Sequence, residues 1–229
     1  MNRNQVENHR LALFGRMVAG VAHEVDNHLS VILGFAELIQ ISGGTEEKTL
    51  DGVAKILSAG EKIGAIIRHF SQYVRPHVPV RERFSPVDAL REGLLFSRYD
   101  LCRNNVVLEM PENLPPVLLT ADRRDFVLAL FALLFNGAEA MALNGGKLRL
   151  DVSARDGAWE FVVTDEGPGI PPEIASRIFE EGFTTKEGAY HTGMGLPLAR
   201  YLAGEMGGTV TVANSPAGGC EAVLRIPER

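Results

Sequence analysis

No proline occurs between residues 5 and 75, and the apolar residues of that stretch recur at helical spacing. Leu11, Phe14, Val18, Val21, Val25, His28, Ile32, Phe35 and Ile39 follow one another in alternating steps of three and four, with Leu29 beside the line. Such a stripe marks one face of a long helix and suits a bundle seam. "ISGGTEE" at 41–47 breaks it with two glycines and offers Thr45 as a helix cap. A second stripe, Leu50, Val53, Leu57, Gly60, Ile63, Ile67, Phe70 and Val74, predicts a second long helix. Two helices joined by a short turn form an antiparallel hairpin. One hairpin covers only one face of each helix, so two copies are expected to pair into a four-helix bundle, giving a homodimer.

The texture changes after residue 75. "VRPHVPVRERFSP", 74–86, holds three prolines and alternating charge, and reads as a linker. Beyond it "VDALREGLLFSRY" has a helical pattern, "VVLEM" and "PVLLT" read as short strands, and 123–143 is helical. The run "KLRLDVSARDGAWEFVVTDEG" alternates around Asp156-Gly157, a β-hairpin signal. "GLPLARYLAGEM" then predicts a helix, and "TVTVAN" and "CEAVLRIP" predict strands. The expected class is α+β, with helices covering one face of a mixed sheet. The division is 1–75 for the hairpin, 76–83 for the linker and 84–229 for the second domain.

Composition narrows the partners. Hydrophobic residues make up 45% of the 229, enough for a packed core. A formal net charge of −6 gives no electrostatic reason to expect nucleic acid. Cys102 and Cys220 stand far apart, which is neither a disulfide framework nor a metal cluster and suits a reducing, cytoplasmic setting. The longest apolar run, "FVLALFALLF" at 126–135, is about half a membrane span, so no membrane segment is expected.

The second domain carries its polar signals in order. Asn136 interrupts a very apolar helix; its amide either bonds to nearby backbone or serves a hard cation such as Mg²⁺. Asp165 ends a strand and is followed by Gly167 and Gly169, where backbone can approach a ligand. Phe183, Thr184 and Lys186 open a stretch leading to Gly193 and Gly195 at a helix start, an anion-binding position. Gly207-Gly208 reads as a cap and turn. Each signal alone is weak. In order, Asn136, "DEGPG", "FTTK", "GMG" and "GG" resemble the N, G1, F, G2 and G3 boxes of the Bergerat-fold ATPase domain shared by histidine kinases, gyrase, Hsp90 and MutL (the GHKL group). The resemblance implies an α/β sandwich with an ATP site. Asn136 would hold Mg²⁺ and the phosphates, and Asp165 would accept the adenine amino group. Gly167 and Gly169 would wall the base, and Gly193 and Gly195 would bring amides to the phosphates. Residues 170–192 would form a lid containing Phe183, Thr184 and Lys186.

The hairpin selects a branch of that group. His23 lies about 200° around the helix from Val21 and therefore points to solvent. A zinc-protease arrangement fails, because His23 and His28 are five residues apart and fall about 140° from one another. "MVAGVAHEVDNHLSVILGFAEL" resembles the dimerisation and phosphoacceptor helix of sensor histidine kinases, with the His-Glu-x-x-Asn pattern on His23, Glu24 and Asn27. Imidazole is a capable nucleophile at cytoplasmic pH. The resemblance implies autophosphorylation of His23 from ATP, with Glu24 orienting it and taking its proton. It implies phosphotransfer to an aspartate of a response regulator receiver domain, and a water-orienting, phosphatase role for Asn27. Three departures stand out: His28 replaces a frequent proline, Ala132 an asparagine of the N box, and Pro197 a frequent glycine of the G2 box. The altered N and G2 boxes support an alternative, a dimeric phosphotransfer or phosphatase scaffold with weak or no kinase activity, while intact Asn136, Asp165 and Gly193 argue against it. Ala132 also argues against an ATP-hydrolysing clamp, and the His-Glu-x-x-Asn helix argues against a serine kinase of the anti-sigma type. With no sensor module or receiver domain in the chain, input is expected through a separate partner unless the chain is a trimmed core.

Overall fold

In a computed structural model the described residues are 3–42, 46–74, 78–111, 118–186 and 193–228. Thr45, the start of the linker and lid residues 187–192 lie outside them. Two long helices come first, α1 (Arg3–Ser42) and α2 (Glu46–Val74). They pack against each other along their length. The face α2 turns to α1 differs from the expected stripe. Gly52, Ile56, Ala59, Ile63, Ile66, Phe70 and Tyr73 are buried or half-buried, again in steps of four and three. Leu50, Val53, Leu57 and Ile67 of the expected stripe are exposed. The correction has a physical source: α2 carries two apolar faces at helical spacing, and the alternating step pattern fits both. Gly52 sits on the inner one because a Cβ there would meet the Ile39 side chain at 2.9 Å.

The second domain begins with β1 (Arg81–Phe84), whose first three residues fall in the stretch read as linker, and continues through α3 (Pro86–Arg103), β2 (Val106–Glu109), β3 (Leu119–Asp122) and α4 (Arg123–Ala140). The hairpin β4 (Gly146–Arg155) and β5 (Ala158–Asp165) follows, then α5 (Gly195–Glu205), β6 (Thr209–Asn214) and β7 (Cys220–Pro227). Strands β1 and β3 pair antiparallel; the main sheet runs β2-β4-β5-β7-β6, with β2 parallel to β4 and the other pairs antiparallel. Asp156 and Gly157 both take positive φ, 51° and 69°, which makes the tight β4–β5 turn that a twisted hairpin favours.

Helix α4 is the axle of the domain. Every residue from Phe126 to Phe135 is buried, so this apolar run is a core helix. Asp122 starts it twice over. Its side chain accepts from Asp125 N–H at 2.9 Å, a helix N-cap, and from Val80 N–H at 2.8 Å, which ties the approach to β1 to the same point. Leu148, Leu150, Phe161, Val163, Leu224 and Ile226 form the inner face of the sheet beneath the helices, with Phe126 edge-on to Phe161 at 4.9 Å. Among the described residues no helix is long and apolar enough to cross a membrane.

Candidate functional site

A cavity of about 690 Å³ opens between α4, α5, the ends of β5 and β7 and the loop after β5. Asp165, Asn136, Gly169, Phe183, Thr184, Lys186, Gly193 and Gly195 all line it. The fold thus brings together the polar positions singled out in the second domain.

At one end Asp165 closes β5 and is only 6% exposed. Its Oδ1 accepts from Gly167 N–H at 2.8 Å and from Cys220 N–H at 3.1 Å. Burial pushes its carboxyl above the usual aspartate range, while these two N–H groups and the charge of Lys186 pull the other way. Small residues are needed around Asp165; Gly137 lines the cavity, and Gly167 sits behind the carboxylate and is not among the lining residues. A Cβ on Gly167 would meet Asp165 Oδ1 at 2.8 Å, and one on Gly137 would meet Leu148 Cδ1 at 2.6 Å. Gly169 has φ of 78°, and Asn214 pins the next residue, accepting from Ile170 N–H at 2.6 Å and donating to Ile170 O at 2.9 Å.

One residue before Gly137 on α4, Asn136 faces the start of α5. A Cβ on Gly195 would come within 3.1 Å of its amide, and Gly193, with φ of 65°, lets Gly182 and Phe183 pass at a distance no side chain permits. Asn136 Nδ2 is buried with no hydrogen-bond partner among the described residues. An amide left uncommitted at a cavity wall is a ligand-facing group. The lid begins on defined contacts. Arg177 stacks over Phe183 at 4.3 Å, Thr184 Oγ1 accepts from Lys186 N–H at 3.1 Å, and Lys186 Nζ pairs with Glu139 of α4 at 2.8 Å.

Residues 121–229 match the family described as histidine kinase-, DNA gyrase B- and HSP90-like ATPase. The signal transduction histidine-protein kinase AtoS of Escherichia coli K12 is 29% identical over 230 residues, 98% of this chain and 36% of that protein. The chain contains a histidine kinase-type ATPase core. The structure of full-length ShkA in complex with AMPPNP is 25% identical with a TM-score of 0.55, covering 91% of this chain and 45% of that one. The complex of histidine kinase ThkA with response regulator TrrA gives 25% and 0.54, covering 97% and 64%. The chain spans about a quarter to under a half of the curated relatives it matches first.

Within the kinase core, the donor set fits a transient hard cation. Among the described residues no three His, Cys, Asp or Glu side chains converge as a metal site. Mg²⁺ keeps several waters and is held by one or two protein oxygens plus phosphates. Asn136 lines the cavity, and its side-chain carbonyl oxygen is the ligand type such an ion takes, while the unpaired Nδ2 is suited to donate to an anionic oxygen.

The hairpin residues are placed apart from this cavity. His23 is exposed on α1, Glu24 is half-buried and Asn27 is exposed one turn on. Val21 is buried and His28 half-buried, in keeping with the seam. Sequence reasoning missed two groups in the kinase core. Gly219, with φ of 73°, is the glycine that meets Asp165: a Cβ there would fall 1.8 Å from the Asp165 carbonyl oxygen. Gly207-Gly208 instead caps α5, Gly208 N–H donating to Ala203 O at 2.8 Å. Beside Gly219, the Cys220 thiol lines the cavity, and burial pushes it up to about 11, so it stays neutral. The second missed group is on α1, where His9, Ala12, Leu13 and Gly15 also line the cavity.

Proposed function

We propose that this chain is the catalytic core of a two-component sensor: a protein-histidine kinase that phosphorylates His23 from ATP and passes the phosphoryl group to an aspartate of a response regulator. The observation that carries the reading is the union, in one chain, of a cavity lined by a fixed carboxylate and an uncommitted amide group with a His23-Glu24-x-x-Asn27 segment whose His23 and Asn27 are exposed. Residues 1–75 act as dimerisation and phosphoacceptor hairpin, 76–83 as linker and 84–229 as ATP-binding domain.

Asp165 Oδ1 is occupied by two backbone N–H donors. That leaves Oδ2 to accept the exocyclic amino group of adenine. Gly169 walls the base, and Gly167 backs the carboxylate. Asn136 and the amides at Gly193 and Gly195 meet the phosphates at the start of α5, where the helix end favours anions. Phe183, Thr184 and Lys186 order the lid over them. Asn136 would hold Mg²⁺ together with the nucleotide, and the ion would supply positive charge against the developing negative charge. A ring nitrogen of His23 attacks the γ-phosphorus in line, the bond to the bridging oxygen breaks and ADP leaves. The proton on the other ring nitrogen passes to Glu24. Asn27, on the same face one turn along, orients a water for hydrolysis of the regulator's phosphoaspartate. ThkA, a structural relative, was solved with its response regulator, which supports the choice of partner. The exposed second face of α2 supports a homodimer. Ala132 is buried one turn before Asn136 and offers no base to activate water, which disfavours an ATPase clamp.

Incubation of the full chain with Mg-ATP separates kinase from scaffold. The kinase incorporates phosphoryl groups approaching one per chain, and Asn136→Ala abolishes incorporation. A chain that binds ATP but incorporates nothing is the scaffold.

A further inference from the structure

Helix α1 reaches well beyond the hairpin. Val6, Leu13, Phe14, Met17 and Val21 are buried in one core with α4 and the sheet, and α1 packs against α3, α4 and α5. Arg10, itself buried, pairs with buried Asp125 in the first turn of α4, 115 residues away. Arg124 lies 5.2 Å over the Phe14 ring. This docking places His9, Ala12, Leu13 and Gly15 in the wall of the same cavity that Asp165 and Asn136 line.

The direction of α4 says which end they close. Arg10 meets the helix at Asp125, and Gly137, twelve residues on, backs Asp165. At 1.5 Å per residue these points are about 18 Å apart. The docked segment therefore comes to α4 from the end away from Gly137 and Asp165. It walls the cavity and does not fill it. With α1 in place the cavity still measures about 690 Å³, within the roughly 300–1,000 Å³ of small-molecule sites. His9 Nδ1 is buried there with no hydrogen-bond partner among the described residues.

We propose that residues 9–15 of α1 are part of the nucleotide site, so that nucleotide binding and docking of α1 on the ATPase domain favour each other. Leu13 and His9 add contact surface only when α1 is docked. A nucleotide that gains those contacts binds the docked state more tightly and, by thermodynamic reciprocity, holds α1 down. The docked helix also sets a distance. His23 lies fourteen residues past His9, about 21 Å along the helix axis. Nucleotide thus strengthens a state in which the acceptor stands away from its own donor cavity. Transfer then requires α1 to undock or the partner subunit's cavity to serve. The inference goes beyond the proposed function and holds whether or not His23 accepts a phosphoryl group.

The test uses the full chain with Mg-AMPPNP. Arg10→Asp breaks docking at a side chain that does not line the cavity, so its nucleotide affinity falls about fivefold or more, the scale of a site-to-site coupling. Arg10→Asp combined with Asp125→Arg restores the pair and returns affinity to near wild type. Independently, amide hydrogen exchange of the wild type over residues 6–21 slows when AMPPNP is added. Affinity unchanged or tightened in Arg10→Asp overturns the proposal. So does exchange over 6–21 that ignores or speeds up with nucleotide, and that measurement decides alone if the variant does not fold. A wild type that binds AMPPNP without this protection fails the inference only; one that binds none fails the nucleotide site as well.

Discussion

Asp165 is a carboxylate where burial works against charge. Its raised pKa means that the folded chain holds this proton at a higher pH than the unfolded chain does. More protons bound in the folded state make stability rise as pH falls through that window, from the folded value toward the ordinary aspartate range. Nucleotide affinity in the proposed site moves the opposite way, because the carboxylate accepts more strongly from the adenine amino group than the neutral carboxyl does. Calorimetric titration with ADP across mildly acid pH is expected to show affinity falling before the domain loses stability. Asp165→Asn keeps the shape, loses the charged acceptor, and weakens ADP by about ten- to a hundredfold. The shared cavity position of Asn136 and Asp165 was legible, because an amide is costly inside the apolar frame around Asn136 and because Asp165 ends a strand before Gly167 and Gly169. Gly219 was not, because order along the chain cannot say which of two glycine pairs passes the carboxylate. Its role makes a separate prediction. Gly219→Ala forces a side chain into a positive-φ position already occupied by the Asp165 carbonyl. It should cost about 1–3 kcal/mol in thermal or urea unfolding and weaken ADP binding together with it.

Elements were read best where one face decides them. Strands β4 to β7 alternate cleanly because one side meets the helices. Helix α4 announces itself by being apolar all round. Helix α2 was harder, since two apolar faces satisfy the same step pattern and only packing shows that Gly52, Ala59 and Ile66 meet α1. The lid is tied to α4 by the Lys186–Glu139 pair, which is partly exposed and worth under about 1 kcal/mol to the fold. Its worth lies in order. Lys186→Ala is expected to leave the melting temperature nearly unchanged and to raise the KM for ATP severalfold. An unchanged KM with a lowered melting temperature would instead make the pair a structural tie.

On the scale of the whole molecule, two surfaces set the account. The first is the uncovered face of α2. Leu50 and Leu57 are each 63% exposed in a single chain. A second copy covering them, together with exposed Leu33 and Leu38 of α1, would account for the apolar surface the hairpin leaves open. Light scattering should find wild type as a dimer and Leu57→Glu as a monomer with its ATP site intact. The second surface is the docked half of α1, joined to α4 by a contact 115 residues apart in sequence. Periodicity reports the faces of a helix and not what covers them, so the sequence showed α1 as a seam and left its second partner unseen. The central claim, that the hairpin and the ATP site perform one reaction, rests on His23. The most direct measurement is labelling of wild type and His23→Gln with radioactive Mg-ATP, followed by acid and base treatment of the protein. Wild type is expected to carry label that acid removes and base spares, and His23→Gln none. Label that survives acid, or that persists in His23→Gln, would contradict the claim.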